Sequence, residues 1–363
     1  MKKSLLALAA LLACGAAAAQ SSVTLFGIVD ATVARGTGSV SSRTQVTNSG
    51  YNSSRLGFRG TEDLGGGVRA GFHLEAGMNN DDGRGSATST NNQASGGAIA
   101  GIGGGQGITF NRRSTVSIGG NWGELRLGRD YTPQFWNLTV YDPFGTNGVG
   151  TNQVQNSNIG GPTSVRASNS ITYLWGHGFN ATYAAGNAGF HAAAQYYLGE
   201  NASGTATADD GSGGAVRVGY NGGPLSVGAA YSRTSYAAGD ITTANIGGAY
   251  EFGPLKLMAM YDRDRVASAV PVTGRGGLVG VSYTVGAGEI RAAYSRYRTN
   301  AATSPATNKY ALGYVHNLSK RTAVYATYAH VSNKGSATQA LNGASTAAGR
   351  TSSGIDIGLR HTF

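Results

Sequence analysis

Apolar and polar residues alternate at every second position along most of this chain. The run at 353–363, SGIDIGLRHTF, sets Ile355, Ile357, Leu359, His361 and Phe363 against Asp356, Gly358, Arg360 and Thr362. Period-two alternation belongs to strands with one apolar and one polar face. Beyond residue 20 no apolar run approaches the roughly 18 residues that a membrane helix requires, and apolar spacing at three and four is absent. The pattern predicts sixteen strands, near 23–34, 50–60, 67–79, 109–119, 124–131, 168–177, 187–199, 213–221, 223–236, 241–253, 254–266, 275–285, 287–298, 307–317, 321–332 and 353–363. It is weakest over 176–190.

The connections alternate in length. Short ones include TEDLGGG (61–67), GNWG (120–123), NGG (221–223), GP (253–254), GAG (286–288) and NLSKRT (317–322). Long ones lie at 35–49, 80–108, 132–167, 200–212, 234–241, 266–275, 299–307 and 333–352. An even number of antiparallel strands joined in this way predicts an all-β chain, a 16-stranded antiparallel transmembrane β-barrel with short periplasmic turns and long extracellular loops. Closing the sheet turns the apolar faces to lipid and leaves no backbone edge unpaired in hydrocarbon.

The longest loop, 132–167, carries Phe135, Trp136, Tyr141 and Phe144. So many aromatic rings need a surface to pack on, so this third long loop is expected to fold into the lumen. Its one acid, Asp142, then either faces lumen arginines across the gap or is an ordinary Asp-Pro turn former.

Parity sorts the remaining charges. Leu225, Val227, Ala229, Tyr231 and Arg233 share one face, and the strands ending at Arg263, Arg265 and Arg296 repeat the progression from aliphatic through aromatic to basic. A cation facing lipid costs about 2–4 kcal/mol at mid-membrane and little near an interface. Arg233, Arg263, Arg265 and Arg296 are therefore placed at the headgroups, where they contact lipopolysaccharide phosphates or form a solvated rim. Parity turns Arg55, Arg59, Arg113, Arg126, Arg166, Arg217, Lys256, Arg291 and Arg360 inward and Arg112 outward. Glu75, Asp262 and Asp356 accompany the inward cations. Sixteen strands enclose water, so clustered arginines there favour anions. Arg55, Arg113 and Arg166 are the first candidates for the constriction and ion path, with Arg59 and Arg126 beside them as ion-path or wall residues.

Composition changes this picture little. The 363 residues include 59 Gly and 19 Tyr, 13% are charged, and the mean hydropathy is −0.18. The formal charge of +10 falls by two with the removal of Lys2 and Lys3, which open a secretory signal at 1–19 ending in an A-x-A site. A rival reading makes Cys14 a lipidated N-terminus. The barrel domain is 20–363. Cys14 is the sole cysteine, so the processed chain carries no disulfide. A secreted chain has little access to nucleic acid despite the basic balance. No motif asks for a metal or other cofactor: GIGGGQG lacks the Lys-Ser/Thr of a phosphate loop, and NNDDGRG lacks the rest of a calcium loop. The six histidines are scattered, and only His73 beside Glu75 is suggestive of catalysis. A substrate-specific channel would need an aromatic track inside the lumen, where parity places only Tyr197, Tyr297 and Tyr325. An adhesin reading rests on the loops alone.

The stretches SSVTLFGIVDA (21–31), SRLGFRGTEDLGGGVRAGFHLE (54–75), GELRLGRDYTPQF (123–135), DPF (142–144), RASNSITY (166–173), NLSKRTAVYATYAH (317–330) and GLRHTF (358–363) carry a resemblance. The chain resembles the general, non-specific outer-membrane porins of beta-proteobacteria, including the neisserial type. The resemblance implies a homotrimer of sixteen-stranded barrels in the Gram-negative outer membrane, with the third loop as constriction and lumen arginines giving anion selectivity. It also implies insertion by the barrel assembly machinery, with Phe363 as the assembly signal, and trimer contacts through the first strands, the last strand and the second long loop. The Gly/Ser-rich second loop, 83–107, and the single acid of the third depart from that pattern.

Overall fold

The structure is a computed structural model describing residues 22–86, 88–93, 107–181 and 186–363. The signal segment at 1–19 and much of the glycine-rich stretch at 83–107 lie outside the described residues. The strands are β1 (Ser22–Gly38), β2 (Arg43–Asn48), β3 (Arg55–Gly65), β4 (Val68–Asn79), β5 (Arg84–Gly85), β6 (Arg113–Gly120), β7 (Gly123–Tyr131), β8 (Arg166–Trp175) and β9 (Gly189–Tyr197), continuing with β10 (Gly213–Gly222), β11 (Leu225–Thr234), β12 (Ile241–Phe252), β13 (Leu255–Val266), β14 (Val272–Val285), β15 (Gly288–Thr299), β16 (Ala306–Asn317), β17 (Thr322–Lys334) and β18 (Thr351–Thr362).

Each pairs antiparallel with its neighbours, and β18 returns to β1, so the sheet is a closed barrel of sixteen wall positions. β2 and β3 share one position, β2 pairing with the upper half of β1 and β3 with the lower half. β5 is a two-residue ribbon on β4.

Alternation is what makes the wall. Val33, Ile246 and Leu312 are more than half exposed on the outer surface, whereas their sequence neighbours point inward. At the seam the last residue completes the ladder: the Gly27 N–H donates to the Phe363 carbonyl, and the Phe363 N–H to that of Gly27, both at 3.1 Å. The Phe363 ring lies over Gly27, where an added Cβ would come within 2.3 Å of it.

Much of the apolar packing inside the barrel involves the third long loop. Leu138, Tyr141 and Val154 of the third long loop meet Met258, Met260, Leu278 and Tyr297 of the wall. Burial of a large apolar side chain is worth about 1.5–3 kcal/mol, so this contact holds the loop down.

Candidate functional site

The third loop enters the lumen as expected. It forms helix α1 (Pro133–Val140) and a single turn, α2 (Gln153–Ser157). Pro133 suits a first helical position, where its missing N–H costs nothing, and the Asn152 side chain caps α2 by accepting from the Gln155 N–H at 2.8 Å. α1 lies on β11 and β12, α2 on β14 and β15.

Polar bonds then fix the register. Asn137 donates to Gly228 O at 3.1 Å and to Asn245 Oδ1 at 2.9 Å, while accepting from Arg217 Nε at 2.8 Å. Asp356 accepts the Val149 N–H at 2.7 Å, and Lys309 Nζ donates to Thr151 O at 2.7 Å. The wall has made room for this. A Cβ on Gly247 would stand 2.3 Å from Tyr141, and one on Gly280 2.5 Å from Pro143.

Opposite the loop lies a cavity of about 480 Å³ lined by Arg55, Arg112, Arg113 and Arg166, with Glu75 and Asp130 among them. Four guanidiniums against two carboxylates leave the lining positive. Glu75 accepts from Arg112 Nε at 2.5 Å, lies 3.4 Å from Arg55 Nη1, and has His73 Nε2 at 3.4 Å. Arg112 and Arg166 both donate to the Tyr131 hydroxyl, at 2.5 and 2.7 Å, and the Arg166 guanidinium sits 4.2 Å from the Tyr131 ring centroid. Phe135 stacks parallel to that ring at 5.4 Å. Arg55 and Arg166 are thus held in fixed positions at the edge of the open space, where a rigid planar fork is suited to meeting water or an anion.

Arg113 is more enclosed, bonded to Thr115 and Asn180, with Asp130 3.6 Å away. Arg59 points into the wider lumen nearer the short turns, its guanidinium 5.2 Å from the Phe26 ring centroid.

Three expectations need correction. Arg126 faces inward but is 1% exposed, because residues 178–181 fold into the lumen over it: it is paired with Glu124 at 2.7 Å and Asp130 at 3.2 Å, and donates to Ala181 O. It does not look onto the channel. Asp142 does not line the cavity either. Its carboxylate accepts from the Phe144, Thr146 and Asn152 N–H groups and from Asn152 Nδ2 at 2.8 Å, closing the turn of its own loop. Burial pushes this carboxyl up from its ordinary range, and those hydrogen bonds pull it back. Arg112, assigned outward by parity, is buried in the lumen, because it precedes β6 and its own N–H bonds Glu75 O at 3.0 Å.

Sequence reasoning also missed a second inward segment. Residues 50–54, expected to begin a strand, instead bend into the lumen, where the Tyr51 and Asn52 N–H groups donate to Asp30 at 2.9 and 2.6 Å. Arg291 and Arg360 lie over the Tyr51 ring, and Asn52 and Ser53 line the cavity. The cluster of Gly, Ser and Asn around Tyr51 was the available signal. The inward tyrosines Tyr197, Tyr297 and Tyr325 are buried and hold other groups in place rather than lining a track. On the outer surface Arg233 is paired with Asp240, whereas Arg263, Arg265 and Arg296 are exposed with no acidic partner among the described residues.

Comparison with known proteins agrees with this architecture. The model of the Gram-negative porin family matches residues 5–336. The chain belongs to that family. An outer membrane porin, protein 32 of Delftia acidovorans, is 38% identical over the full length of both chains, and one from Bordetella pertussis is 30% identical, also over the full length of both. The anion-selective porin from Comamonas acidovorans superposes with a TM-score of 0.80 at 34% identity, over 95% of this chain and all of that one. This porin is accordingly an outer-membrane barrel, whose wet interior is a passage for small hydrophilic solutes.

Proposed function

We propose that this porin is a general diffusion channel with a preference for anions, set at the gap between the third loop and the wall that carries Arg55, Arg112, Arg113 and Arg166. One observation supports this most: four arginines and two carboxylates line the same narrow cavity. Arg59 extends the positive path toward the periplasm. The anion selectivity of the Comamonas porin, similar over nearly the whole chain, favours the same reading.

The working unit is a homotrimer that contacts neighbours through the first strands, β18 and the second long loop. Residues 1–19 direct export, the barrel assembly machinery reads Phe363, and lipopolysaccharide surrounds the outer rim. The protein is not an enzyme: its His73–Glu75 pair is a wall hydrogen bond beside Arg112.

Planar bilayers holding the purified protein test the channel. A bias of about 1 kcal/mol gives a roughly fivefold preference for chloride over potassium. The preference should fade toward 1 M salt, as the Debye length shortens from about 10 Å to about 3 Å. Cation preference at low salt would end the proposal.

A further inference from the structure

Three arginines stand directly beside one another on the outer surface. The strand register pairs Arg263 of β13 with Arg275 of β14, and Arg275 with Arg298 of β15. Facing residues on neighbouring strands have Cβ atoms about 4.5–5.5 Å apart, and like charges so placed repel. No carboxylate among the described residues lies within ion-pair distance of any of the three. Arg233, by contrast, has Asp240. A row of unpartnered cations asks for an anion from outside the chain.

The surroundings say what kind. Toward the membrane the row borders a groove of about 560 Å³ floored by Gly277 and Val279 and walled by Tyr261, Tyr294 and Arg296. Gly277 lies between Tyr261 and Arg296 in the register, so a missing side chain leaves the groove open. Toward the exterior Arg275 and Arg298, which also line the groove, border a second hollow of about 420 Å³, lined by Thr273, Thr299, Asn300 and Ser304 and reaching Lys334. Apolar below, cationic in the middle and hydroxyl-rich above is the order of acyl chain, phosphate and sugar in a lipid. The height agrees. From Arg275 to Tyr283 along β14 is about 27 Å of strand, which a tilt of about 40° reduces to about 21 Å, close to the upper edge of a roughly 25 Å apolar band.

We propose that β13, β14 and β15 form a built site for one phosphorylated glycolipid of the outer leaflet, its phosphate on Arg263, Arg275 and Arg298 and an acyl chain in the groove between Tyr261 and Tyr294. The proposal rests on the outer-membrane reading, which puts the long-loop end outside, and it deepens the lipopolysaccharide contact by giving it a seat.

Native mass spectrometry of the detergent-solubilised protein tests it, with bisphosphorylated lipid A, dephosphorylated lipid A and inorganic phosphate as probes. The wild type should retain the bisphosphorylated lipid about tenfold better than the dephosphorylated one, as loss of a charged hydrogen-bond acceptor predicts. The triple variant Arg263→Gln, Arg275→Gln, Arg298→Gln should lose that preference, and Arg233→Gln should keep it within about twofold, its charge being already paired. Val279→Trp leaves every arginine in place and fills the groove, so it should weaken lipid retention even if the triple variant does not fold. Equal retention of both lipids by the wild type, unchanged retention by Val279→Trp, or displacement of the lipid by millimolar inorganic phosphate would overturn the proposal. Wild-type conductance in a bilayer is read separately, so a failed channel and a failed lipid site give different results.

Discussion

The two halves of the lumen wall use charge in opposite ways. On β3 and β8, Arg55 and Arg166 border open space, and Arg112, Arg113 and Glu75 line the same cavity from a more enclosed, bonded position behind them. On β10 and β16–β18, Arg217, Lys309 and Asp356 are buried beneath the third loop, and each donates to it or accepts from it. The difference teaches that inward charge is not by itself a channel property. A buried charge must be matched by a fixed partner because desolvation is costly, and once matched it offers little to a passing ion. The half left uncovered can keep donors in reserve.

Ion selectivity is the way to break this contrast. Arg55→Ser, Arg112→Ser and Arg166→Ser together should bring a roughly fivefold anion preference close to unity, read as a reversal potential in a salt gradient. Glu75→Gln should work the other way and more weakly, raising the preference about twofold because a carboxylate between Arg55 and Arg112 is gone. Lys309→Met should leave the reversal potential where it was. Its effect belongs to stability: a charged hydrogen bond is worth about 1.5–3 kcal/mol, so thermal unfolding should come earlier and open-channel noise should rise as the loop loosens. Asp142→Asn should be the mildest, shifting stability by about 1 kcal/mol and selectivity not at all. If Lys309→Met or Asp142→Asn moved the reversal potential as far as the triple arginine variant, the distinction between covered and uncovered wall would be lost.

The barrel was legible because lipid outside and water inside impose period two on every strand, and all sixteen expected strands are present. Parity placed Arg55 and Arg113 correctly for the same reason. It failed at Arg112, one residue before β6, because alternation says nothing where no ladder holds the backbone. Burial under a loop is invisible to parity, which is why Arg126 and Arg113 read alike in sequence as open lumen residues although residues 178–181 bond both and leave only the second on the margin of the cavity. Gly71 and Gly119, against Phe179, were signals of that covering, and Gly247 and Gly280 of the third loop's, since inward glycines within strands mark a close approach. The outer arginine row was half visible: Arg263 ends its own strand's progression, but Arg275 becomes the neighbour of Arg263 and Arg298 only through a register that no single strand contains.

The seam between β1 and β18 has a kinetic consequence. Its partners come from opposite ends of the polypeptide, Ile28 with Thr362 and Gly27 with Phe363, so the contacts that finish the cylinder are among the most non-local in the molecule. Such pairings form slowly, although the entropy of closing a loop rises by only about 0.6 kcal/mol per doubling of its length. Until they form, two bare edges wait, each able to accept a stranger's strand. A side chain at position 27 that displaced the Phe363 ring would prolong that exposure, and its first symptom would be slower assembly and more entangled chains rather than an altered pore.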